Sequence, residues 1–288
     1  MIHELPLERR TLHGHFSRDL EPVLAIDSGD SIAFSVPNAG WYVERERRFE
    51  PYDEELDAGH ALAGPIEVRG ARAGQTLAVS VDDVRPGPWG VTHAREVRLD
   101  WELEGATGRD RGGRTVTLRP FLGVLGMPPP EPGRHSTGPP RRWGGNIDCK
   151  ELVAGTTLFL PIPVDGALFS AGDGHALQGD GEVSGTAIEC PIDRAVLTLD
   201  LRDGPELSGP VARCRDAWLA FGFDKDLDTA ADVATASMLD VMERELGLET
   251  NEALALASVA VDLRVTQVVN GAKGVHAVLR DDAIRIAG

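Results

Sequence analysis

Carboxylates and an imidazole are concentrated in one glycine-rich part of the chain, residues 144–189. Asp173 and His175 lie two residues apart there, and so do Asp180 and Glu182. If these segments are extended, each pair shares one face of a strand, because side chains alternate between the two faces. The neighbouring glycines permit tight turns and a close approach of the backbone to a ligand. Carboxylates and an imidazole that converge at turns can bind hard or borderline metal ions.

The same pattern also has a plain structural interpretation. Gly-Asp-Gly turns occur in ordinary hairpins, where the aspartate bonds only to its own backbone. The spacing alone therefore leaves two interpretations open, a metal or catalytic site and an inert hairpin.

Alternating sequences predict that strands position these side chains. Apolar and polar residues alternate in residues 31–36, 75–82 and 195–201, as expected of half-buried strands. After about residue 219 the pattern changes, since apolar residues recur at three- and four-residue steps across 228–246. We predict a mainly β fold with a sandwich or barrel-like core in residues 1–215, which carries the site. A smaller α+β C-terminal section is predicted for residues 216–288.

The C-terminal section has recognisable boundaries. Asp228 and Thr229 start the first predicted helix, and Gly247 suits its C-terminal end. Thr250 can cap a second helix that runs through Ala257. A strand follows, and then a tight Asn-Gly turn at residues 270–271 leads into a last strand.

Two segments are predicted to be loops. Residues 126–140 contain PPPEPG and STGPP, and this density of proline and glycine is incompatible with a regular helix or strand. This loop leads directly into residues 144–148, and long loops within compact domains often border active sites. The charged residues 41–62 are predicted to form a solvated loop or lid rather than a binding patch.

Four short motifs together identify a family. They are GGNID at 144–148, LPIPVDGAL at 160–168, GDGHALQGDGE at 172–182 and TAIE at 186–189. With GPIEV at 64–68, PFLGVLG at 120–126 and QVVN at 267–270, they resemble the acetamidase/formamidase family in order over nearly the whole chain. The resemblance implies hydrolysis of short linear amides, of the formamide or acetamide type, to a carboxylate and ammonia. It also implies a divalent ion and a homodimer.

Three residues of these motifs are candidate metal ligands. His175 is the histidine of the central stretch, and with Asp148 and Asp173 it would form a His/carboxylate set that leaves positions open for water or substrate. Such an ion lowers the pKa of its water to about 7 and polarises a carbonyl. Zinc is the first choice, with calcium and manganese as alternatives, because ligand type alone does not decide among them.

Further residues are candidates for proton transfer and substrate binding. Glu182 and Glu189 are the candidate general acid and base. Asn146 and Gln178 carry amides that could orient a polar substrate, or could instead satisfy buried backbone groups. His60 precedes Gly64-Pro65, where the family usually reads His-Pro, and is a candidate substrate contact.

Two hypotheses are alternatives to metal-assisted hydrolysis: a covalent mechanism and a non-catalytic binding module. Cys149 lies between Asp148 and Lys150, which suggests a covalent nucleophile, but neighbours on an extended chain face opposite ways and a small buried cysteine is more common. A non-catalytic β-sandwich module that binds calcium or a small polar ligand is the alternative function. Trp143 stands where many relatives have histidine, and its bulky indole could reshape the pocket, which leaves the exact amide open.

Composition limits the partners of the chain. A formal net charge of -17 argues against nucleic acid or an anionic membrane surface as a partner, because both would be repelled. Three widely spaced cysteines without a CxxC pair favour a reducing compartment, and the cytoplasm is the simplest expectation. The sequence shows neither an apolar signal core nor a membrane-length apolar run, so we expect a soluble protein that acts on a small-molecule amide.

Overall fold

The computed structural model describes residues 1–285 of the chain. Its helices are a 3-10 turn at Arg9–Thr11, α1 at Leu227–Leu246 and α2 at Thr250–Ala260. Its strands in chain order are β1 (Ile2–Leu5), β2 (Leu12–His13), β3 (Leu24–Ile26), β4 (Asp30–Val36), β5 (Tyr42–Glu44), β6 (Arg47–Arg48), β7 (Leu62–Val68), β8 (Thr76–Pro86), β9 (Trp89–Ala94), β10 (Val97–Glu104), β11 (Thr107–Asp110), β12 (Thr115–Thr117), β13 (Phe121–Gly126), β14 (Gly144–Asn146), β15 (Thr157–Pro161), β16 (Phe169–His175), β17 (Ile192–Arg202), β18 (Val211–Arg213), β19 (Ala217–Asp224), β20 (Val261–Gln267) and β21 (Lys273–Arg280).

The strands form one large sheet and several smaller ones. The large sheet has the order β1-β4-β17-β8-β15-β18-β19-β21-β20. A second sheet has the order β14-β13-β16-β7-β2, with β3 also paired to β7. A third has the order β12-β11-β10-β9, and β5 and β6 form a small hairpin. Strands make up 43% of the chain and helices 12%, so the mainly β prediction with a smaller C-terminal helical section is confirmed.

One hydrophobic core joins the two largest sheets. Ile32, Leu77 and Leu197 come from the nine-stranded sheet, and Ile66 and Leu122 come from the sheet that contains β13 and β16. All five are almost fully buried. Along β17 buried and more exposed residues alternate, as expected of a strand with one face on the core. The second sheet is therefore held against a broad, rigid surface.

Helix α1 packs on the part of the large sheet that is formed by β19 and β21, and α2 packs against α1. Asp226 caps α1 by accepting a hydrogen bond from the Thr229 backbone N–H at 3.0 Å, and Gly247 ends it with a left-handed φ of 68°. The predicted end at Gly247 is thus correct, and the start lies one residue before the predicted one. The second helix runs to Ala260, three residues beyond its predicted end.

The sheet order bears on the other sequence-based predictions. Strands from both proposed sections, 1–215 and 216–288, belong to the nine-stranded sheet, and the division into two sections stays a prediction. Residues 127–143 contain no strand or helix, in agreement with the predicted long loop. The charged segment 41–62 carries the β5–β6 hairpin, which the sequence pattern did not indicate.

Among the residues described, neither helix combines the length and the apolar character needed to cross a membrane. The cysteines at 149, 190 and 214 are free thiols.

A buried histidine makes the stability of this fold depend on pH. The His13 ring donates from Nδ1 to the His15 carbonyl at 2.7 Å, and its Nε2 accepts from the Ser170 hydroxyl at 2.9 Å. Burial lowers the pKa of His13 to about 4. Between that value and the unfolded pKa of ~6.5 the unfolded chain binds the extra proton, so the free energy of unfolding falls as the pH drops through this window. We expect this group to remove about 3 kcal/mol in total.

Urea unfolding at about pH 7 and about pH 5 measures the effect. His13→Asn should make the pH dependence less steep, with the remainder coming in part from His276, whose pKa burial also lowers to about 4, whereas His93→Asn, at an exposed histidine, should leave it unchanged. An equally steep dependence in His13→Asn would rule out His13 as its source.

Candidate active site

Two neighbouring strands carry the first side chains of the site. The strands β13 and β16 pair antiparallel, with Leu122 opposite Gly174 and Val124 opposite Gly172. Asp173 and His175 therefore lie at the end of a central strand whose seven residues are all buried. A strand in this position has few ways to move, so it holds both side chains in fixed places.

Asp148 reaches the same place from the turn after β14. The backbone N–H groups of Ile147 and Asp148 both donate to the Gly123 carbonyl, at 3.0 and 3.2 Å. This contact fixes the turn against β13, next to the strand that carries Asp173.

Glu189 joins the second and third sheets. Its backbone forms an isolated bridge with His175 and another with Val91 of β9, where two reciprocal hydrogen bonds measure 2.9 Å each. One carboxylate oxygen, Oε1, accepts from the Ala187 N–H at 2.9 Å. Glu182 lies in the preceding turn, where its carbonyl accepts from the Gly185 N–H at 2.8 Å.

These five side chains form one buried cluster. The His175 Nε2 lies 3.3 Å from Asp173 Oδ1 and 3.4 Å from Glu189 Oε2, and its Nδ1 lies 4.0 Å from Asp148 Oδ1. Candidate ligand atoms fall within 4.8 Å of one another in two groups that share His175. The first group is completed by Asp148 and Asp173, and the second by Glu182 and Glu189.

Several atoms of the cluster have no hydrogen-bond partner. They are all buried, and they are Asp148 Oδ1, Asp173 Oδ1, His175 Nδ1, Glu182 Oε2 and Glu189 Oε2. Within residues 1–285 neither lysine nor arginine forms an ion pair with any of the four carboxylates. Buried charges are normally paired or coordinate a metal, because burying an unpaired charge costs much free energy. The donor set therefore fits a cation, and the cluster could hold a metal ion.

The charges of the cluster shift its pKa values in both directions. Burial, together with the nearby Glu182 carboxylate, raises the pKa of Asp148 well above its usual value. Burial also raises the pKa of Glu182, to about 7. Although burial opposes it, the imidazole of His175 lowers the pKa of Asp173 to about 2, and the Asp173 carboxylate in turn raises that of His175. Displaced pKa values in a cleft are typical of functional sites.

The backbone around the cluster is unusual at three of its carboxylates. Asp148, Asp173 and Glu182 have left-handed φ angles of 52°, 60° and 43°. Such conformations are uncommon for residues other than glycine and are found at functional sites, where the surrounding structure enforces them.

Gly123 provides the space that the cluster occupies. It lies between Leu122 and Val124, so it faces Asp173 across the strand pair. A Cβ atom at this position would lie 2.5 Å from Asp173 Oδ2 and 2.6 Å from Asp148 Oδ1. Only glycine fits there without displacing a carboxylate.

Two amide side chains support Asp148. Asn270 Nδ2 donates to Asp148 Oδ2 at 2.5 Å, and Gln178 Nε2 donates to the Asp148 carbonyl at 2.7 Å. Both contacts hold the aspartate in place after its unusual turn.

The cluster forms the floor of a cavity of about 630 Å³. Of the residues singled out from the sequence, the cavity is lined by His60, Asn146, Asp148, Asp173, His175, Glu182 and Glu189. The His60 Nδ1 bonds to the Thr137 hydroxyl at 2.8 Å, which fixes its ring. Asn146 Oδ1 is buried without a partner.

Three residues considered from the sequence lie elsewhere. Gln178 does not line the cavity, and its observed contact is with the backbone of Asp148 rather than with open space. Trp143 does not line it either, so its indole makes no part of the cavity surface. Cys149 is buried outside the cavity and burial raises its pKa strongly, which favours a structural thiol over a nucleophile.

The sequence pattern missed several residues of the site. Asn270 was visible only in an Asn-Gly turn and at the end of the family motif QVVN, without a role, and it lies 122 residues from Asp148 along the chain. Gly123 was visible only as part of a family motif. Trp89 and Val91 line the cavity from β9, a strand that carried no functional signal.

Comparison with known proteins defines the class. A family model described as the Acetamidase/Formamidase family matches residues 3–129 and 131–212, which is most of the chain. The chain therefore belongs to the acetamidase/formamidase family, and the sequence-based prediction of an amide hydrolase of this type is confirmed. This assignment favours the amidase over the non-catalytic binding module.

Individual relatives agree with the family. The crystal structure of an acetamidase from Bacillus halodurans has a TM-score of 0.86 and 27% identity, and the match covers 96% of this chain and 97% of that one. An acetamidase of Mycolicibacterium smegmatis is 26% identical over 46% of this chain and 51% of its own length. A protein of Schizosaccharomyces pombe assigned as a formamidase is 25% identical over 71% of this chain and 70% of its own length. The chain thus spans between half and seven-tenths of these two curated relatives.

The space at Gly123 gives a direct test of the cluster. Gly123→Ala should weaken binding of a divalent ion by about 10- to 100-fold, because the methyl group displaces the carboxylates of Asp148 and Asp173. Isothermal titration calorimetry with zinc measures the change.

Gly179→Ala is the matched control. A Cβ atom at Gly179 meets nothing within 4 Å, so zinc binding should stay at the wild-type value. Equal zinc affinity in Gly123→Ala and wild type, with both folded by circular dichroism, would show that the cluster does not bind the ion.

Proposed function

We propose that this chain hydrolyses linear primary amides to a carboxylate and ammonia at the buried cluster, with the help of a divalent metal ion. One observation carries the proposal: four carboxylates and one imidazole converge at the floor of a cavity with unpartnered oxygens and without a lysine or arginine partner in the described chain. Membership of the acetamidase/formamidase family supports the amide as substrate.

Asp148, Asp173 and His175 are the proposed metal ligands. Their ligand atoms lie within 4.8 Å of one another, and one oxygen of each aspartate is unpartnered. A borderline ion such as zinc accepts one imidazole and two carboxylates, and calcium or manganese remains the alternative. When bound, the ion would lower the pKa of a water molecule and polarise the amide carbonyl.

Glu182 and Glu189 are the proposed proton-transfer groups. Each has a buried Oε2 without a hydrogen-bond partner, and each lines the cavity. Hydrolysis forms a bond between the water oxygen and the carbonyl carbon and breaks the carbon–nitrogen bond. A glutamate at this place can take a proton from water and deliver it to the departing nitrogen, which leaves as ammonia.

Other residues of the cavity are proposed to position the substrate. Asn146 offers an unpartnered amide oxygen, which can accept a hydrogen bond from the substrate NH2 group. His60 is held by Thr137 at the wall of the same cavity. Gln178 is proposed to act indirectly, since it holds the backbone of Asp148.

The glutamates can be tested by isosteric substitution. Glu182→Gln or Glu189→Gln should lower kcat/KM for acetamide by about 10²- to 10⁴-fold, because the amide cannot carry the proton. Ammonia release from metal-loaded protein measures the effect. Glu104→Gln changes an exposed carboxylate on β10 and should keep wild-type activity. A glutamate whose variant retains near-normal activity has no part in proton transfer.

Metal removal should abolish activity and also lower stability. Treatment with a chelator should stop ammonia release, and added zinc should restore it. Because a ligand that binds only the folded state stabilises it, the metal-loaded protein should be more stable by about 3–4 kcal/mol at 100- to 1,000-fold excess over Kd. Elemental analysis and thermal unfolding supply readouts that do not depend on turnover. Full activity in protein free of divalent ions would refute the metal.

The cellular setting and the assembly state complete the proposal. Free cysteines at 149, 190 and 214 support a reducing compartment such as the cytoplasm. A homodimer is proposed on the family resemblance alone, and sedimentation of the purified chain tests it.

A further inference from the structure

The cavity above the acidic cluster is far larger than a short amide requires. Its volume of about 630 Å³ corresponds to ~20 water molecules at ~30 Å³ each. Acetamide has four non-hydrogen atoms and fills the space of only ~3 water molecules. A ligand of this size would leave most of the cavity to solvent.

One wall of the cavity is apolar and begins directly beside Glu189. Val91 of β9 is the backbone partner of Glu189, with two reciprocal hydrogen bonds of 2.9 Å, so both side chains lie on the same face. Trp89 lies two residues along the same strand and lines the cavity with Val91. Two residues of a strand span ~6.8 Å, so an apolar path of this length leads from the cluster to the indole.

The wall runs into the protein rather than out to solvent. Trp89 and Val91 are each only 6% exposed, whereas His93, the next residue on this face, is exposed. The buried end of the path is therefore Trp89.

The cations at this wall are already paired. Arg45 contacts Glu102 at 2.6 Å and Asp100 at 3.7 Å, and Arg98 contacts Asp100 at 2.9 Å. The Arg45 guanidinium also lies 5.8 Å from the centre of the Trp89 ring. These arginines line the cavity, and Asp100 and Glu102 offset part of their charge, although Asp100 is shared with Arg111 as well. The four carboxylates of the floor repel an anionic acyl group.

We propose that this cavity selects linear amides with an uncharged, apolar acyl group of ~6–7 Å, such as a phenylacetyl group, over formamide and acetamide. The acyl group packs on Val91 and Trp89 while the amide lies over the acidic cluster. This inference rests on the proposed amide hydrolysis. Phenylacetamide and water then give phenylacetate and ammonium, with the carbon–nitrogen bond broken, a carbon–oxygen bond formed and the proton of the acid taken up by the ammonia.

A substrate series tests the inference on metal-loaded wild-type protein. We expect kcat/KM for phenylacetamide to exceed that for acetamide by about 10- to 100-fold, from burial of the ring. Glutaramate, which carries a carboxylate on an acyl chain of similar length, should be poorer than phenylacetamide. Equal or higher kcat/KM for acetamide, or a preference for glutaramate, would overturn the proposal while leaving amide hydrolysis intact.

Two variants locate the acyl site. Trp89→Ala removes the end of the apolar path, and Val91→Phe blocks its start, so each should lower the ratio of kcat/KM for phenylacetamide over acetamide by about 10-fold or more. Trp101→Phe is the matched control, because Trp101 is an equally buried indole that does not line the cavity. The control should keep the wild-type ratio. An unchanged ratio in Val91→Phe, with the fold intact, would contradict the assignment even if Trp89→Ala fails to fold.

A binding experiment separates this inference from the proposed function. Phenylacetate and acetate carry the same charge, and calorimetry on metal-loaded protein should show about 10-fold or tighter binding of phenylacetate. Failure to hydrolyse any amide would refute the proposed function, and the ratio of these two affinities would still decide the acyl site. Equal affinities would overturn it.

Discussion

The structure depends on one electrostatic constraint: four carboxylates share a buried space with a single imidazole. Asp148, Asp173, Glu182 and Glu189 lie around His175, and within the described chain neither lysine nor arginine pairs with them. Burial, together with the neighbouring carboxylates, raises the pKa of Asp148, so the four carboxylates do not all remain ionised. Only protons or a bound cation can balance the remaining charge. A cation does so without removing the lone pairs that coordinate it, and for this reason the cluster suits a metal better than a hydrogen-bond network.

The backbone is shaped to permit this arrangement. Left-handed φ angles at Asp148, Asp173 and Glu182 turn their side chains toward one point, at a strain of about 1–3 kcal/mol each. Gly123 leaves the space between them empty of side chain. Asp173 lies on β16, in the middle of a sheet packed on the hydrophobic core, and this packing keeps its backbone in place. Asp148 and Glu182 lie in turns, where their backbone N–H groups donate to the carbonyls of Gly123 and Gly179, each at 3.2 Å.

The sequence predicted what is local and missed what depends on register. Alternation and helical periodicity located several of the longer strands, among them β4, β8 and β17, and both helices, since each pattern is contained within one element. The GDGH and GGNID motifs pointed to Asp148, Asp173 and His175, because chemistry-bearing residues and glycines stand close together there. Asn270 could not be found in this way, since it meets Asp148 only where the turn between β20 and β21 of the nine-stranded sheet lies against the turn after β14 of the second sheet. The roles of Gly123 and Gln178 likewise follow from strand pairing and hydrogen bonds, which no spacing rule reveals.

Glu189 links the chemistry to the shape of the cavity. Its backbone pairs with His175 on one side and with Val91 on the other, so the same short segment positions a carboxylate of the cluster and the first residue of the apolar wall. A change in β9 that displaces Val91 must also shift Glu189, because two hydrogen bonds of 2.9 Å join them. Val91 therefore influences both the binding of the acyl group and the position of Glu189. Trp89 lies two residues from Val91 on the same face of the strand, where a side chain can change without moving the cluster. We accordingly expect relatives that accept acyl groups of different size to differ at this position.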